Sequence, residues 1–272
     1  MATESAYDVS TMPGGVDREI ARLREQALMT WQREARNLKW WGLEDGMSVL
    51  DVGSGPGFVT AELLDMLPSS QVTGLEIDPV MIERADKYLA GKADGRLQSM
   101  LGSIMSSGLP DNSFDFAIAR YVIQHLPDPA GAVSEILRIL KPGGKFVVLD
   151  VDDAQHLWEP EDPPEVKAAS ERWREEHKEK GGDRYVGRKL LRILQKAGFK
   201  NCTMEAIVLH SDELGIERLL PPEEVTIPEY EAELQAGSIT RREFELTIET
   251  DQKRRGPEGL IMLMVYMACG EK

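Results

Sequence analysis

Three alternating glycines, Gly53, Gly55 and Gly57, are the residues whose spacing first suggests a binding site. An apolar segment from Ser48 to Val52 precedes them, and apolar residues at helical spacing follow. This order predicts a strand, a tight turn and a helix, a unit that presents backbone amides to a nucleotide-like ligand. Glycine suits such a turn because a Cβ atom would keep the ligand away from the backbone.

The spacing of these glycines, and the position of a later acidic residue, indicate which class of ligand the turn would bind. Phe58 stands where the dinucleotide pattern G-x-G-x-x-G needs its last glycine, so a pyrophosphate is not favoured. Glu76 ends a second predicted strand, and 76 − 57 gives 19 residues from the last glycine. A carboxylate at that place can accept hydrogen bonds from both hydroxyls of a ribose.

The motifs resemble those of class I S-adenosylmethionine-dependent methyltransferases. Motifs I and II correspond to residues 51–57 and 74–79, and three later stretches, 102–115, 119–129 and 139–150, follow in the family's order. The resemblance is closest to bacterial small-molecule methyltransferases of the ubiquinone/menaquinone-biosynthesis type (methyltransferase type 11), and it covers residues 42 to 200. It implies S-adenosyl-L-methionine as the cofactor.

The expected fold class is α/β, a Rossmann-like three-layer sandwich. Strands and helices alternate as far as Phe199, which predicts a mostly parallel sheet. The resemblance implies seven strands with an antiparallel last strand. We expect an N-terminal arm and cap helices over 1–41 and the cofactor-binding core over 42–210. A helical lid insertion over 211–258 and the last strand, within 259–272, follow.

The resemblance places the cofactor site at the carboxyl ends of the strands, where ligands of open α/β sheets bind. The residues implied are Asp51, Gly53, Ser54, Gly55, Gly57, Glu76, Ile77, Met81, Ser103, Ile104 and Arg120. Glu76 would hold the ribose, and Arg120 would form the wall beneath the sulfonium. Ser103 stands where the family often has Asp, so its hydroxyl and the amide of Ile104 would contact the adenine.

Methyl transfer depends largely on positioning, which can lower a barrier by up to about 7–11 kcal/mol. A base is needed only if the nucleophile must lose a proton, and His125 is the best candidate because imidazole titrates near neutral pH. His125 also lies at a predicted strand-to-helix turn, where a structural anchor is the favoured alternative. Asp150 follows the fifth strand towards the expected substrate entrance, where a solvated acidic loop explains it equally well.

Four aromatic residues are candidates for the substrate pocket: Tyr7, Trp31, Tyr121 and Trp158. Trp31 also fits a core position of the N-terminal helix. The function predicted is methyl transfer to a small molecule. Two alternatives stay open: a cofactor-binding protein without methyl transfer, such as a cyclase or a structural protein, and a methyltransferase of protein or RNA.

The whole chain constrains partners and location. A formal net charge of −15 over 272 residues disfavours nucleic acid. The longest apolar run is too short to span a bilayer, so no membrane association is expected. Two separated cysteines favour a reducing cytoplasm, and the four histidines lack metal-ligand spacing, so no metal is expected. Monomer and homodimer both remain possible.

Overall fold

The computed structural model describes residues 5–11 and 14–272. Ten α-helices occur in this part of the chain: α1 (Gly15–Trp40), α2 (Phe58–Met66), α3 (Pro79–Leu89), α4 (Pro129–Ile139), α5 (Pro164–Glu179), α6 (Leu190–Ala197), α7 (Ser211–Leu214), α8 (Ile216–Leu219), α9 (Glu223–Ala236) and α10 (Arg241–Arg254). Eight strands accompany them: β1 (Ser48–Val52), β2 (Gln71–Glu76), β3 (Leu97–Leu101), β4 (Phe114–Arg120), β5 (Leu140–Val151), β6 (Leu157–Glu159), β7 (Lys200–His210) and β8 (Leu260–Glu271).

The strands form one sheet in the order β3-β2-β1-β4-β5-β8-β7. The pairs among β1 to β5 are parallel, and β8 runs antiparallel to both β5 and β7. The predicted Rossmann-like fold with an antiparallel last strand is thereby confirmed.

The sheet has eight strands rather than seven because β8 extends beyond the end of β5. β8 pairs with β5 over Val265–Glu271 and with the short β6 over Leu260–Met262. The three residues of β6 thus satisfy backbone groups of β8 that β5 does not reach. Sequence periodicity could not indicate so short a strand.

Two hydrophobic layers cover the two faces of the sheet. In β4, Phe116 and Ile118 belong to one buried cluster, whereas Ala117 and Ala119 belong to the other. Successive side chains of a strand point to opposite faces, so this alternation shows that β4 is covered on both sides. Helices α1 and α2 contribute to the first cluster and α4 and α6 to the second, which gives the three predicted layers.

The N-terminal region supplies one long helix, where the sequence left a single helix or a pair open. Helix α1 has 26 residues, and buried side chains such as Ala27, Trp31 and Leu38 recur along one face. Before it, the amide of Ala6 donates to the carbonyl of His125 at 2.8 Å. The arm and cap predicted over 1–41 include residues 1–4 and 12–13, which lie outside the described residues.

The segment between β7 and β8 is helical, as the sequence predicts. Helices α7 to α10 fill it, and Thr240 and Glu243 form the predicted capping box at the start of α10. Its contacts with the rest of the chain include ion pairs between Arg18 and Glu229, at 2.8 Å, and between Arg172 and Glu243, at 2.9 Å. The segment therefore packs beside α1 and α5.

Candidate active site

A cavity of about 460 Å³ opens at the carboxyl ends of β1, β2 and β4. Its lining residues come from the N-terminal segment 5–7, from α1, from the loops after these strands, and from α5. This is the position at which open α/β sheets bind their ligands, next to the point where strand order reverses.

The glycine loop forms one end of the cavity. Gly53 and Gly55 both have positive φ, 66° and 53°, and both line the cavity. A Cβ on Gly55 would meet no atom within 4 Å, so only glycine leaves that space free for a ligand. Gly57, which the sequence placed in the cofactor site, does not line the cavity; a Cβ there would lie 2.7 Å from Leu89 Cδ1. Gly57 therefore permits the close packing of α2 on α3.

Glu76 lies buried in the cavity wall at the end of β2. Its Oε1 accepts the amides of Ile77 and Asp78, at 2.8 and 2.9 Å, and its Oε2 accepts that of Gly55 at 2.8 Å. Burial raises the pKa of Glu76, and these amides oppose that change. A carboxylate offers about four acceptor positions, so in this conformation one remains. One ribose hydroxyl can bind there, and a second would have to displace an amide.

Asp51 supports the loop from below. Its Oδ2 accepts the hydroxyl of Thr60 at 2.6 Å, which ties the end of β1 to α2. The carboxyl is fully buried, and this burial raises its pKa to about 6. Ser54, beside it, also lines the cavity.

Arg120 closes the floor of the cavity at the end of β4. Its Nε and Nη2 donate to the two carboxylate oxygens of Glu34 in α1, at 2.6 and 2.8 Å. Both side chains are nearly sealed from solvent, with exposed fractions of 8% and 0%. The forked pair neutralises the guanidinium, so this wall does not repel a cation placed above it.

The other residues that the resemblance implies for cofactor binding line the same end of the cavity. They are Ile77, Met81, Ser103 and Ile104. The Ser103 Oγ accepts the amide of Met105 at 3.2 Å and caps a short 3₁₀ helix, Ile104–Ser106. The hydroxyl proton of Ser103 stays available for a ligand.

Tyr7, Tyr121 and His125 line the other end of the cavity. Tyr7 donates its hydroxyl to Glu19 at 2.7 Å, and burial raises its pKa. His125 ends a 3₁₀ helix, Ile123–His125, that follows β4. Burial, and then the nearby His177, Arg184 and Arg22, lower the pKa of His125 to about 3, so the ring is neutral at neutral pH.

Besides Gly57, three candidate residues do not line the cavity. Trp31 is buried in the core, and Trp158 lies in β6 beneath the guanidinium of Arg254, 4.7 Å from the ring centroid. Asp150 is fully buried; it accepts the amides of Gln124 and Val151, both at 3.0 Å. Burial raises its pKa to about 7. Asp150 thus anchors the segment that carries His125.

The cavity has lining residues that the sequence did not indicate. Trp173 and His177 reach it from α5, and Arg184 from the loop after α5. Trp173 and His177 are four residues apart, and so lie on one face of the helix, which was the available signal. No residue of 211–258 lines the cavity, so the expected lid insertion does not contact this space directly. Among the described residues, no group of three or more His, Cys, Asp or Glu could hold a metal ion.

Comparisons with known proteins agree with this geometry. Residues 50–148 match the methyltransferase domain family. A sterol 24-C-methyltransferase of Gibberella zeae is 40% identical over 110 residues, which span 40% of this chain and 29% of that protein. The ubiquinone/menaquinone biosynthesis C-methyltransferase UbiE of Paracoccus denitrificans is 31% identical over 149 residues, 54% of each chain.

The matched segment, residues 50–148, has the sequence pattern of a methyltransferase domain. A solved phosphoethanolamine N-methyltransferase 2 of Haemonchus contortus, in complex with phosphomonomethylethanolamine and S-adenosylhomocysteine, shares its fold with a TM-score of 0.54. Its sequence identity is 18%, and the alignment covers 96% of this chain and 53% of that one. The matches to the sterol and quinone enzymes span less than two thirds of those proteins.

Elements on both sides of residues 50–148 lie outside the match to the domain family. The match to the domain family ends within β5, whereas α1 and α5 supply much of the second end of the cavity. None of the helices in the described residues combines the length and apolarity needed to cross a membrane. The second end of the cavity is therefore built largely by elements outside the segment that matches the family.

Proposed function

We propose that this protein transfers a methyl group from S-adenosyl-L-methionine to a small-molecule acceptor. The observation that carries the proposal is one cavity with two different ends. The glycine loop and Glu76 form an end suited to a nucleoside, and Tyr7, His125 and Trp173 form an end suited to a second molecule. Two reactants held in one cavity are the condition for catalysis by positioning.

The residues at the nucleoside end fit this cofactor. Gly55 leaves space that a Cβ would occupy, Glu76 keeps one acceptor position for a ribose hydroxyl, and Asp51 holds the loop in place. The Arg120–Glu34 pair gives a wall without net charge beneath the site. When bound, S-adenosylmethionine supplies a methyl group on a positively charged sulfur. Tyr7 and Tyr121 then limit the access of water from the acceptor side.

A small acceptor is favoured by the dimensions and the charge of the protein. The cavity measures about 460 Å³, and residues 5–7 form part of its wall, so little space is left for a polymer segment. The net charge of −15 disfavours a polyanion such as RNA. The names of the sterol and quinone relatives, which indicate small substrates, support the same class.

Calorimetry on the purified protein tests the cofactor. We expect micromolar binding of S-adenosylmethionine and S-adenosylhomocysteine and no measurable binding of NAD. Gly55→Ala should weaken this binding, and Gly46→Ala is the matched control. Both glycines have positive φ and no atom within 4 Å of an added Cβ, but only Gly55 lines the cavity. Tight NAD binding, or equal effects of the two substitutions, would contradict the proposal.

Turnover separates methyl transfer from mere cofactor binding. With an acceptor present, a methyltransferase converts S-adenosylmethionine to S-adenosylhomocysteine in a stoichiometric yield with the methylated product. A cyclase or structural protein built on this domain would bind both compounds and form neither product. Mass spectrometry of both products after incubation with an acceptor library decides between the two functions.

A further inference from the structure

A row of rings from three parts of the chain lines the second end of the cavity. Tyr7 lies 5.3 Å from His125, and His125 lies 5.4 Å from His177, measured between ring centroids. Trp173 follows, stacked on His177 at 5.7 Å with an angle of 16° between the planes. All four residues line the cavity. We call this set the aromatic row.

The aromatic row is held in place by polar contacts behind it. His177 Nε2 donates to the carbonyl of Gln124 at 3.2 Å, which fixes the ring against the 3₁₀ helix of His125. The guanidinium of Arg184 lies 5.4 Å from the Trp173 centroid, and Asp153 accepts two hydrogen bonds from it, at 3.0 and 2.8 Å. A rigid row loses little entropy when a flat molecule binds against it.

Trp173 is the exposed member of the aromatic row. Its exposed fraction is 50%, and it borders the cavity. Indole offers a large, flat contact area, and aromatic pairs gain about 0.5–1.5 kcal/mol beyond the area they bury. A planar ligand at this end would cover that surface.

The two ring nitrogens of His125 differ in their surroundings. Nδ1 is sealed from solvent and has no hydrogen-bond partner. A sealed N–H without a partner is rarer in proteins than a sealed acceptor, so the proton of the neutral ring belongs on Nε2. His125 thereby offers an N–H donor at the cavity side of the aromatic row.

We propose that the aromatic row binds a planar aromatic molecule bearing a hydrogen-bond-accepting oxygen, with that oxygen accepting from Nε2 of His125. The row supplies the flat contact, and His125 supplies the single polar contact that orients the molecule. This deepens the proposed function, on which it rests for describing the molecule as the methyl acceptor.

A cationic ligand, which rings can also bind, fits this end less well. Aromatic cages bind quaternary ammonium groups through the faces of their rings. Here the guanidinium of Arg184 already lies over the face of Trp173, and Arg22 also lines the cavity. Both guanidinium groups are paired with carboxylates, Arg184 with Asp153 and Arg22 with Glu19, and they still help to lower the pKa of His125, after its burial and the proximity of His177. The neutral ring can therefore donate to an oxygen, and a further cation beside it is not favoured.

Three matched compounds test the proposal without any methyl transfer. The compounds are 2-acetylnaphthalene, which is planar with a carbonyl oxygen; 2-ethylnaphthalene, which lacks the oxygen; and 2-acetyldecalin, which is not planar. Each is titrated into the free protein and into its S-adenosylhomocysteine complex, with ligand-detected NMR as the readout. We expect 2-acetylnaphthalene to bind about tenfold more tightly than either of the others.

Three variants locate the preference in the aromatic row. His125→Phe should abolish the preference for the acetyl over the ethyl compound while keeping the preference for planarity. Trp173→Ala should weaken both naphthalenes by about three- to tenfold. Trp40→Ala is the control, because Trp40 is 64% exposed and does not line the cavity.

The outcomes separate this proposal from the proposed function. Equal affinities for the three compounds, no binding of any of them, or an unchanged preference in His125→Phe would overturn the aromatic acceptor. Failure of S-adenosylhomocysteine to bind would instead overturn the proposed function, and the naphthalene preference would still be measured on the free protein. If the preference is found but no planar aromatic compound of the acceptor library is methylated, the ligand class is supported and only its description as the methyl acceptor is contradicted.

Discussion

Glu76 illustrates how a single side chain can serve both the fold and the ligand. Its carboxylate accepts three backbone amides, including that of Gly55, and so shapes the glycine loop before any ligand binds. The same oxygen that accepts from Gly55 keeps the remaining acceptor position for a ribose hydroxyl. In the proposed function, Glu76 therefore couples the geometry of the glycine loop to the binding of the ribose.

Replacement of Glu76 should weaken cofactor binding. Hydrogen bonds to a charged group contribute about 1.5–3 kcal/mol, so we expect Glu76→Ala to raise the Kd for S-adenosylhomocysteine roughly ten- to hundredfold. Asp78→Ala is the matched control, since Asp78 caps α3 by accepting the amide of Val80 at 2.8 Å and does not line the cavity. That control should lose about 1 kcal/mol of stability and keep its affinity. An unchanged Kd for Glu76→Ala would mean that Glu76 does not hold the ribose.

Asp150 should make stability depend on pH. Burial raises its pKa to about 7 in the folded protein, whereas an unfolded Asp titrates near pH 4. The folded state thus holds the proton more tightly, so the stabilising contribution of this group is complete below about pH 4 and is lost as the pH rises towards 7.

The variant Asp150→Asn isolates this effect because its side chain stays neutral. We expect its free energy of unfolding, measured in urea, to fall less than that of the wild type between about pH 4 and 7. The variant's stability relative to the wild type should therefore increase across that interval, on top of a constant loss from one impaired amide contact. Parallel stability curves for the two proteins would show that Asp150 ionises normally.

The segment of residues 5–11 acts as an element even though it is short. Two contacts tie it over the acceptor end: the amide of Ala6 donates to the carbonyl of His125, and the hydroxyl of Tyr7 donates to Glu19. Glu19 is itself held by two hydrogen bonds from Arg22, at 2.7 and 2.6 Å. The segment also buries Val9 but pairs with no strand, so it can open without unfolding the sheet.

Tyr7→Phe should loosen this segment. Loss of a hydrogen bond to a charged partner should speed hydrogen exchange at the amide of Ala6 by about ten- to hundredfold. Tyr230→Phe removes a comparable hydroxyl, which donates to Asp251 at 3.3 Å away from the cavity, and should leave that amide unaffected. Equal exchange of Ala6 in Tyr7→Phe and the wild type would show that the segment is held by other contacts.

For the whole molecule, the features that could be predicted from the sequence are those that residues close together in the chain determine. The glycine loop, Glu76 and the alternation of strands and helices are short-range features, and the fold follows them closely. The two hydrophobic clusters correspond to the three-layer sandwich that was expected from this alternation.

The end of the cavity that holds the aromatic row could not be predicted in the same way, because it depends on contacts between distant parts of the chain. His125 and His177 are separated by 52 residues, 177 − 125, and only the packing of α5 against the end of β4 brings their rings together. Trp158 was expected in the substrate pocket, but it does not line the cavity. The pairing of β6 with β8, which the sequence did not indicate, holds it elsewhere.

The Arg120–Glu34 pair also determines how this protein could exchange parts with its relatives by recombination. A crossover between α1 and β1 would separate the gene segments that encode the two partners. A chimera that received a different residue at position 34 would bury the guanidinium of Arg120 without a counter-charge, at a cost of about 3–5 kcal/mol. The free energy of unfolding of a domain is only about 5–15 kcal/mol, so such a chimera would lose much of its stability. In such a recombination, α1 and the end of β4 would therefore have to come from the same parent. This holds although 86 residues separate Glu34 from Arg120 along the chain.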